Sequence, residues 1–453
     1  MIFMLALMAG LVAAPLAAQP SPPGSGKAPL PAAFRRSGSP TLDSLVQEAL
    51  ARNPRLEMTR RRLDAARARI GPAGSLSDPV LTAGVRNLPP LHPGDAEPMN
   101  SLAVGLRQSL PFPGKRRLRK LAATWDGEAA ESQVRAVSRE VIRDVRTAYF
   151  RLWYVGRALD VVKKHLTILR GIAETSESRY RVGSAGQEDV LKARVEIGRL
   201  TEEAAALTEH RRAVLATLNA LLDRSPETPV EAAELPGEIS DLIPDSAAPV
   251  SFDSPEAGSR LSASPLPTVE ALLRQTLDRD PEARRLAAEV ESETARRKLA
   301  EKAHLPDFDV SLTYGRRQDR NDLLSLLVSV PIPVNRSGRQ DAWVAERTAL
   351  LQAAEDEYRS YRSRVRGHIA QLRALLERDR TRLVILIRSV IPQSRASLDA
   401  AAAGFQTGRT DFITLLTIQS SLFQYELSAY QAMSDLAANL AELKRLAGED
   451  ILS

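Results

Sequence analysis

Five histidines, a glycine–lysine loop and no cysteine are what this 453-residue chain offers to catalysis or metal binding. The stretch PPGSGKAP (22–29) has the look of a phosphate loop, but the upstream glycine and the Ser/Thr after the lysine are missing and no strand precedes it. It reads as flexible linker. His92, His165, His210, His304 and His368 share no metal-ligand spacing, and neither G-x-S-x-G nor H-E-x-x-H occurs. His92, Asp95, Glu97 and Met99 crowd one Pro-rich loop that could hold a metal transiently. Nothing there fixes a coordination geometry, so the reading is an exposed polar loop. Without cysteine there is no disulfide, thiolate metal site or lipid-modified cysteine. The expectation is a protein that is not an enzyme and needs no cofactor or resident metal.

The residues that do carry information are two glycines. Gly183 in YRVGSAGQEDVL (180–191) and Gly408 in FQTGRTDFITLL (405–416) occupy equivalent places, each expected to close a long helix as a left-handed cap. Around them lie Arg181, Val182 and Ser184 at one turn, Thr407 and Arg409 at the other. Two exposed tips at one end of a long helical body are natural docking points for another protein.

The elements that position these tips come in two copies. TLDSLVQEALARNP from Thr41 is answered by TVEALLRQTLDRDP from Thr268, SLPFPGKR (109–116) by SVPIPVNR (329–336), and LATLNALL (215–222) by LAELKRLA (440–447). Each copy opens with a short helix capped by Thr41 or Thr268 and ended before a proline, at Asn53 or Asp280. A second helix follows, Pro54 to about Ile70 and Pro281 to about His304. The period then changes to two. Leu81, Ala83 and Val85 oppose Thr82, Gly84 and Arg86; Leu102, Val104 and Leu106 oppose Ser101, Ala103, Gly105 and Arg107. In the second copy Phe308, Val310, Leu312 and Tyr314 oppose Asp307, Asp309, Ser311 and Thr313, and Leu324, Leu326 and Val328 oppose Ser325 and Ser329. These are four strands, paired within 78–110 and 307–330, each near the length that crosses a bilayer when tilted.

Helical hairpins follow, over 114–222 and 337–446. Val141, Val145, Ala148, Leu152, Val155, Leu159, Val162, Leu166 and Leu169 keep a four–three spacing, while Leu415, Leu422, Ala429, Leu436 and Leu443 recur every seventh residue, so a coiled coil is expected. The first long helix would run roughly 100 Å. Tyr361, His368, Asp379 and Arg211 make other parts of the seam polar, and Pro392 should kink or break its helix.

The copies span 41–223 and 268–448, joined by an acidic, Pro-rich connector, 224–267. Residues 1–18 (MIFMLALMAGLVAAPLAA) read as a signal peptide and 19–40 as a Pro/Ser-rich linker. No other segment has the roughly 20 apolar residues of a membrane helix, so any membrane passage must be made by strands. The net charge of +6 arises from 62 basic and 56 acidic residues interleaved along helices, which gives solvated faces rather than a nucleic-acid surface.

In this order of elements, and in SLPFPGKR, YRVGSAGQEDVL and the Pro392–Leu416 segment, the chain resembles the TolC family of outer-membrane efflux proteins. The Pro-Phe-Pro-Gly-Lys-Arg run (111–116) is similar to the CzcC/CusC-like branch that serves heavy-metal pumps of the RND type. The resemblance implies a mostly α protein with transmembrane β: a homotrimer whose twelve-stranded outer-membrane barrel, four strands per chain, continues into a periplasmic α-helical coiled-coil barrel. It implies a duct for small toxic solutes or heavy-metal cations, with a periplasmic adaptor and an inner-membrane pump as partners. Family members commonly place acids just past the tip glycine as a ring at the periplasmic entrance. Asp189 keeps that position in the first copy, whereas the second has Thr414 and Thr417 there, so the ring would rest on Asp411, Asp189 or Glu188. Two alternatives stand beside this reading. A periplasmic adaptor would carry one hairpin between lipoyl-like halves, and a coiled-coil structural protein would leave the alternating segments unexplained.

Overall fold

The computed structural model describes residues 40–87, 100–232, 267–317, 320–332 and 335–448. The signal peptide, almost all of the linker, the His92–Met99 loop and most of the 224–267 connector lie outside the described residues. In the first copy, helices α1 (Pro40–Arg52) and α2 (Pro54–Gly74) lead to strands β1 (Val80–Arg86) and β2 (Ser101–Leu110), then to α3 (Lys115–Arg181) and α4 (Gln187–Leu221). The second copy has α5 (Val269–Arg279), α6 (Pro281–Glu301), β3 (Phe308–Arg316), β4 (Leu323–Ser329), α7 (Ala342–Ile385), α8 (Ile391–Gln406) and α9 (Phe412–Ala447).

α1 forms because Leu42, Leu45, Val46, Ala49 and Leu50 recur at helical spacing and bury one stripe. It starts at Pro40, so Thr41 is inside the helix and is not its cap. Proline is pre-set for a first helical position and displaces the expected start by one residue. Thr268 does cap α5, its side chain accepting from Ala271 N at 3.2 Å. Asn53 caps α2 through bonds from Arg55 N and Leu56 N, and its Nδ2 donates to Leu221 O at 2.9 Å, tying the α1–α2 junction to the end of α4. Asp280 plays the matching part in the second copy, accepting from Glu282 N and from the hydroxyl of Tyr361 on α7.

α3 runs unbroken for 67 residues, about 100 Å at the α-helical rise. The expected seam is in place, with Val141, Val145, Leu152, Val155, Val162 and Leu169 buried and Leu159 half-buried. Pro392 does not break its helix. The chain stays helical through it, and the missing N–H and the ring are accommodated by a π-helical turn, Leu386–Val390, directly before α8. A second π-helical turn, Arg336–Asp341, opens α7.

The four strands form one antiparallel sheet in the order β1-β2-β3-β4, so β1 and β4 are its edges. Register puts Leu81, Leu106, Leu312 and Leu326 side by side on one face, and Thr82, Gly105, Thr313 and Ser325 on the other. On the central strands β2 and β3 the apolar face is the more exposed one, and on the edge strands both faces are exposed. Leu81 and Leu326 are 71% and 70% exposed, whereas Ala103 on the small-residue face is 5% exposed. A half-buried sheet of a water-soluble domain has the reverse arrangement. The small-residue face is tightly shaped: a Cβ on Gly105 would stand 2.8 Å from Thr313 Oγ1 and 2.9 Å from Thr82 Oγ1. Val80 and Leu327 also lie on that face, so it is not uniformly polar.

Candidate functional site

The two tips are built alike. At the first, Gly183 has φ +74°, its N–H bonds Tyr180 O (3.0 Å), and Ser184 N bonds Arg179 O (2.8 Å). At the second, Gly408 has φ +75°, its N–H bonds Phe405 O (3.2 Å), and Arg409 N bonds Gly404 O (2.8 Å). Both are Schellman closures, which need a residue at positive φ, and glycine takes that conformation without a Cβ penalty. Arg181, Val182, Gly183, Ser184, Thr407, Gly408 and Arg409 are all exposed. Ser184 Oγ donates to Arg179 O, and Thr407 Oγ1 to Gly404 O at 3.1 Å, so each hydroxyl serves its own turn.

Arg179, which the sequence reading passed over, joins the tips. From the last turn of α3 its Nη1 donates to Phe405 O at the end of α8, its Nη2 donates to Ser184 O at 3.2 Å, and its guanidinium lies 4.6 Å from the centroid of the Phe405 ring. One cation thus satisfies a late carbonyl of α8 and a carbonyl in the turn after its own helix, where the helix dipole favours positive charge. Phe405 packs edge-on to Phe412 across the second turn (6.0 Å). Gly404 permits that turn, since a Cβ there would fall 2.3 Å from Thr410 Oγ1. A pattern of arginine in the final helical turn was the available signal, but its partner is 226 residues away and no local spacing reveals it.

The expected entrance residues divide. Asp189 is half-buried, and its carboxyl is pushed up by burial and by the charges of Glu188 and Asp411, against the pull of Lys192 and Arg179. Glu188, Asp189 and Asp411 therefore share one acidic neighbourhood. Asp411 is the N-cap of α9. Its Oδ1 accepts from Thr414 N at 2.6 Å, and bonds from Thr414 hold its carboxyl below the usual range. Thr417 Oγ1 donates to Ile413 O at 2.8 Å and takes no part in the acidic group. No cluster of three or more His, Asp or Glu side chains able to hold a metal occurs among the described residues.

The outer membrane efflux protein family model matches this chain twice, over residues 45–224 and 272–449. The chain belongs to that family. It is 22% identical over 402 residues to the cobalt-zinc-cadmium resistance protein CzcC of Cupriavidus metallidurans, with 88% of each chain covered. To the pyoverdine export outer membrane protein OpmQ of Pseudomonas aeruginosa it is 25% identical, covering 92% of this chain and 86% of the relative. The outer membrane protein VceC of Vibrio cholerae superposes with a TM-score of 0.74 at 20% identity, covering 92% of this chain and 98% of that one. In this outer-membrane efflux protein of TolC-like fold, α3 follows the first strand pair and α7 the second, and the glycine tips join α3 to α4 and α8 to α9. No helix among the described residues is long and apolar enough to cross a membrane.

Proposed function

We propose that three copies of this chain close a twelve-stranded barrel and act as the exit duct of a tripartite exporter. One observation carries the proposal: a four-stranded sheet with a row of exposed leucines running across all its strands, and with β1 and β4 as edges that each have one neighbour among the described residues. Four strands cannot close on themselves, and an open edge in lipid leaves backbone groups unpaired at several kcal/mol each. Pairing β4 of one copy with β1 of the next removes both edges. The adaptor reading leaves an exposed leucine face with no purpose.

The inner face carries a small, neutral row, Thr82, Gly105, Thr313 and Ser325, and a self-neutralised ion pair, Arg107–Asp309 at 3.0 Å, which together suit a passive conduit. CzcC and OpmQ are named for metal resistance and pyoverdine export respectively. Small toxic solutes or metal cations, selected by an inner-membrane pump, are the cargo that this pair of relatives supports. Gly183 and Gly408 form the docking tips for a periplasmic adaptor, and Glu188, Asp189 and Asp411 supply the acidic entrance, with Thr414 and Thr417 beside it.

Mass measurement of the protein extracted in mild detergent is the test. A trimer is expected, and a stable monomer would overturn the barrel. Leu326→Arg should cost about 2–4 kcal/mol of assembly stability if near the bilayer midplane, while Ser311→Arg on the inner face should assemble. Equal yields of the two variants would contradict the assigned faces.

A further inference from the structure

The apolar band ends against a dense group of cations. β2 finishes at Leu110, paired with Phe308 at the start of β3. The chain then turns into α3 through Gly114, at φ +93°. Lys115 Nζ reaches back to Leu305 O (2.6 Å) and Asp307 Oδ1 (2.7 Å), and Phe112 N donates to the same oxygen at 2.8 Å. These bonds hold the first turn of α3 against the strand ends. Residues 115–120 read KRRLRK, and no carboxylate follows until Asp126. Their position is therefore within about two helical turns, roughly 10 Å, of the edge of the leucine face.

Lys115 is buried and engaged, and Arg116 Nε donates to Gly74 O at 3.0 Å. Arg117, Arg119 and Lys120 are exposed and form no ion pair among the described residues. Arg119 reaches Asp307 only through longer-range attraction. A helix start is an unfavourable place for cations, because the dipole and the orphan N–H groups already make it positive. The first turn of α3 holds no acid and gains no side-chain cap from Gly114. A local arrangement that opposes folding calls for a compensating role. Aromatic and basic groups recur at the same level: Lys302 Nζ stands 5.9 Å from the Phe112 ring centroid, Arg339 is exposed in the π-helical turn before α7, and Trp343 in the first turn of α7 is 50% exposed. Cations and a half-exposed tryptophan bordering an apolar belt match the chemistry of a phospholipid headgroup layer.

We propose that Arg117, Arg119 and Lys120 form a collar that binds the phosphates of anionic phospholipids in the periplasmic leaflet, fixing the depth at which the duct sits. The inference rests on the barrel reading above. The commitment to a membrane surface follows from continuity with the leucine face and from the excess of positive charge.

The test uses the full assembly in nanodiscs that mix phosphatidylcholine with phosphatidylglycerol, with retained lipid read by native mass spectrometry. The wild type should enrich phosphatidylglycerol, less so as salt rises. Arg117→Gln, Arg119→Gln and Lys120→Gln should each lower that preference about fivefold. The charge-keeping set Arg117→Lys, Arg119→Lys and Lys120→Arg should preserve it. Unchanged enrichment in the triple glutamine variant would overturn the collar. So would dissociation of that variant in lipid-free detergent, which would assign these cations to carboxylates of a neighbouring copy. The oligomeric mass of the wild type in the same detergent reads the barrel separately, so failure of the collar and failure of the duct give different results.

Discussion

The two helical hairpins share one topology but are held together by different forces. α3 is a single α-helix whose seam is apolar from Val141 to Leu169, and it packs on α4 through Leu166, Leu169, Ala193 and Leu200. The matching helix of the second copy is interrupted by a π-helical turn and a proline, and polar groups enter its packing. Glu426 of α9, 4% exposed, is bonded by Lys164 Nζ (2.8 Å) and by His165 Nε2 (3.2 Å) of α3, and by Arg395 Nη2 of α8 (2.7 Å). The other ring nitrogen of His165 meets Gln419 at 3.0 Å. Higher up, the buried Asp379 accepts from Asn439 Nδ2 at 3.0 Å. Apolar packing is tolerant of small sliding, whereas a buried carboxylate with three partners has one good arrangement. The first hairpin is thus held by an apolar seam along its length, and the second is fixed to it at discrete polar points.

The largest effect should come from the strongest of those points. Glu426→Ala leaves the buried His165 and two half-exposed cations without their shared acceptor, and should cost about 1.5–3 kcal/mol of stability in thermal or denaturant unfolding. The same carboxylate sets an acid window. Burial would raise its pKa, but bonds from His165, Lys164 and Arg395 outweigh this and bring it to about 2 from an ordinary 4.5. A depressed folded pKa gives stability that is present above pH 4.5 and is lost as pH falls toward 2, by about 3 kcal/mol. Glu426→Gln should flatten that part of the pH–stability curve. If the slope persists in the variant, the acid dependence belongs to other groups, and the contrast between the hairpins loses its main support.

Much of this was legible from period and punctuation. The heptads of α3 and α9, the alternation in β1–β4 and the two tip glycines are local patterns, and each maps to a feature of the chain's own backbone. The polar ties were not legible, because their partners are distant in sequence. Glu426 and His165 each fall in an ordinary helical stretch, and only the packing of α3, α8 and α9 brings them together. Arg179 was missed for the same reason. Thr41 and Pro392 show the limit of local rules: proline at a helix start pre-empted the expected cap, and a π-helical turn absorbed a residue expected to break its helix.

A smaller effect separates the tips. A β-branched residue at positive φ costs at least the roughly 1–2 kcal/mol of a left-handed conformation, so Gly183→Val and Gly408→Val should both distort their turns while the seams keep the fold. A Cβ at Gly183 meets nothing within 4 Å, but at Gly408 it stands 3.6 Å from Arg179 Nη2. That is ordinary contact for the Cβ itself, so it is the added γ-methyls of valine beside the guanidinium that should make Gly408→Val disturb both tips and Gly183→Val only its own. If the tips dock an adaptor, export should fall more in Gly408→Val at unchanged trimer level, and cross-linking from cysteines placed at Ser184 and Arg409 reads contact directly. Full export by both variants together, with no cross-link, would reduce these glycines to helix caps.

Pro392→Ala should change stability least and yet say most about the second hairpin. Alanine restores an N–H that can bond within the helix, a gain of about 0.5–1.5 kcal/mol. It also frees the unfolded chain of proline's constraint, which costs about 0.4–1 kcal/mol in the opposite sense. The two nearly cancel, so the unfolding midpoint should barely move. Hydrogen exchange will not be blind to the change. If proline is what holds Leu386–Val390 in the π-helical form, the variant can anneal to a continuous α-helix, and amides across 386–392 should become as protected as those at the matching depth of α3. Ser389 and Leu386 are both buried in the turn, so annealing would rotate them against α9 and strain the Glu426 site just beyond. Unchanged exchange would mean that side-chain packing around Leu386 and Ser389, rather than the proline, dictates the π-helical turn.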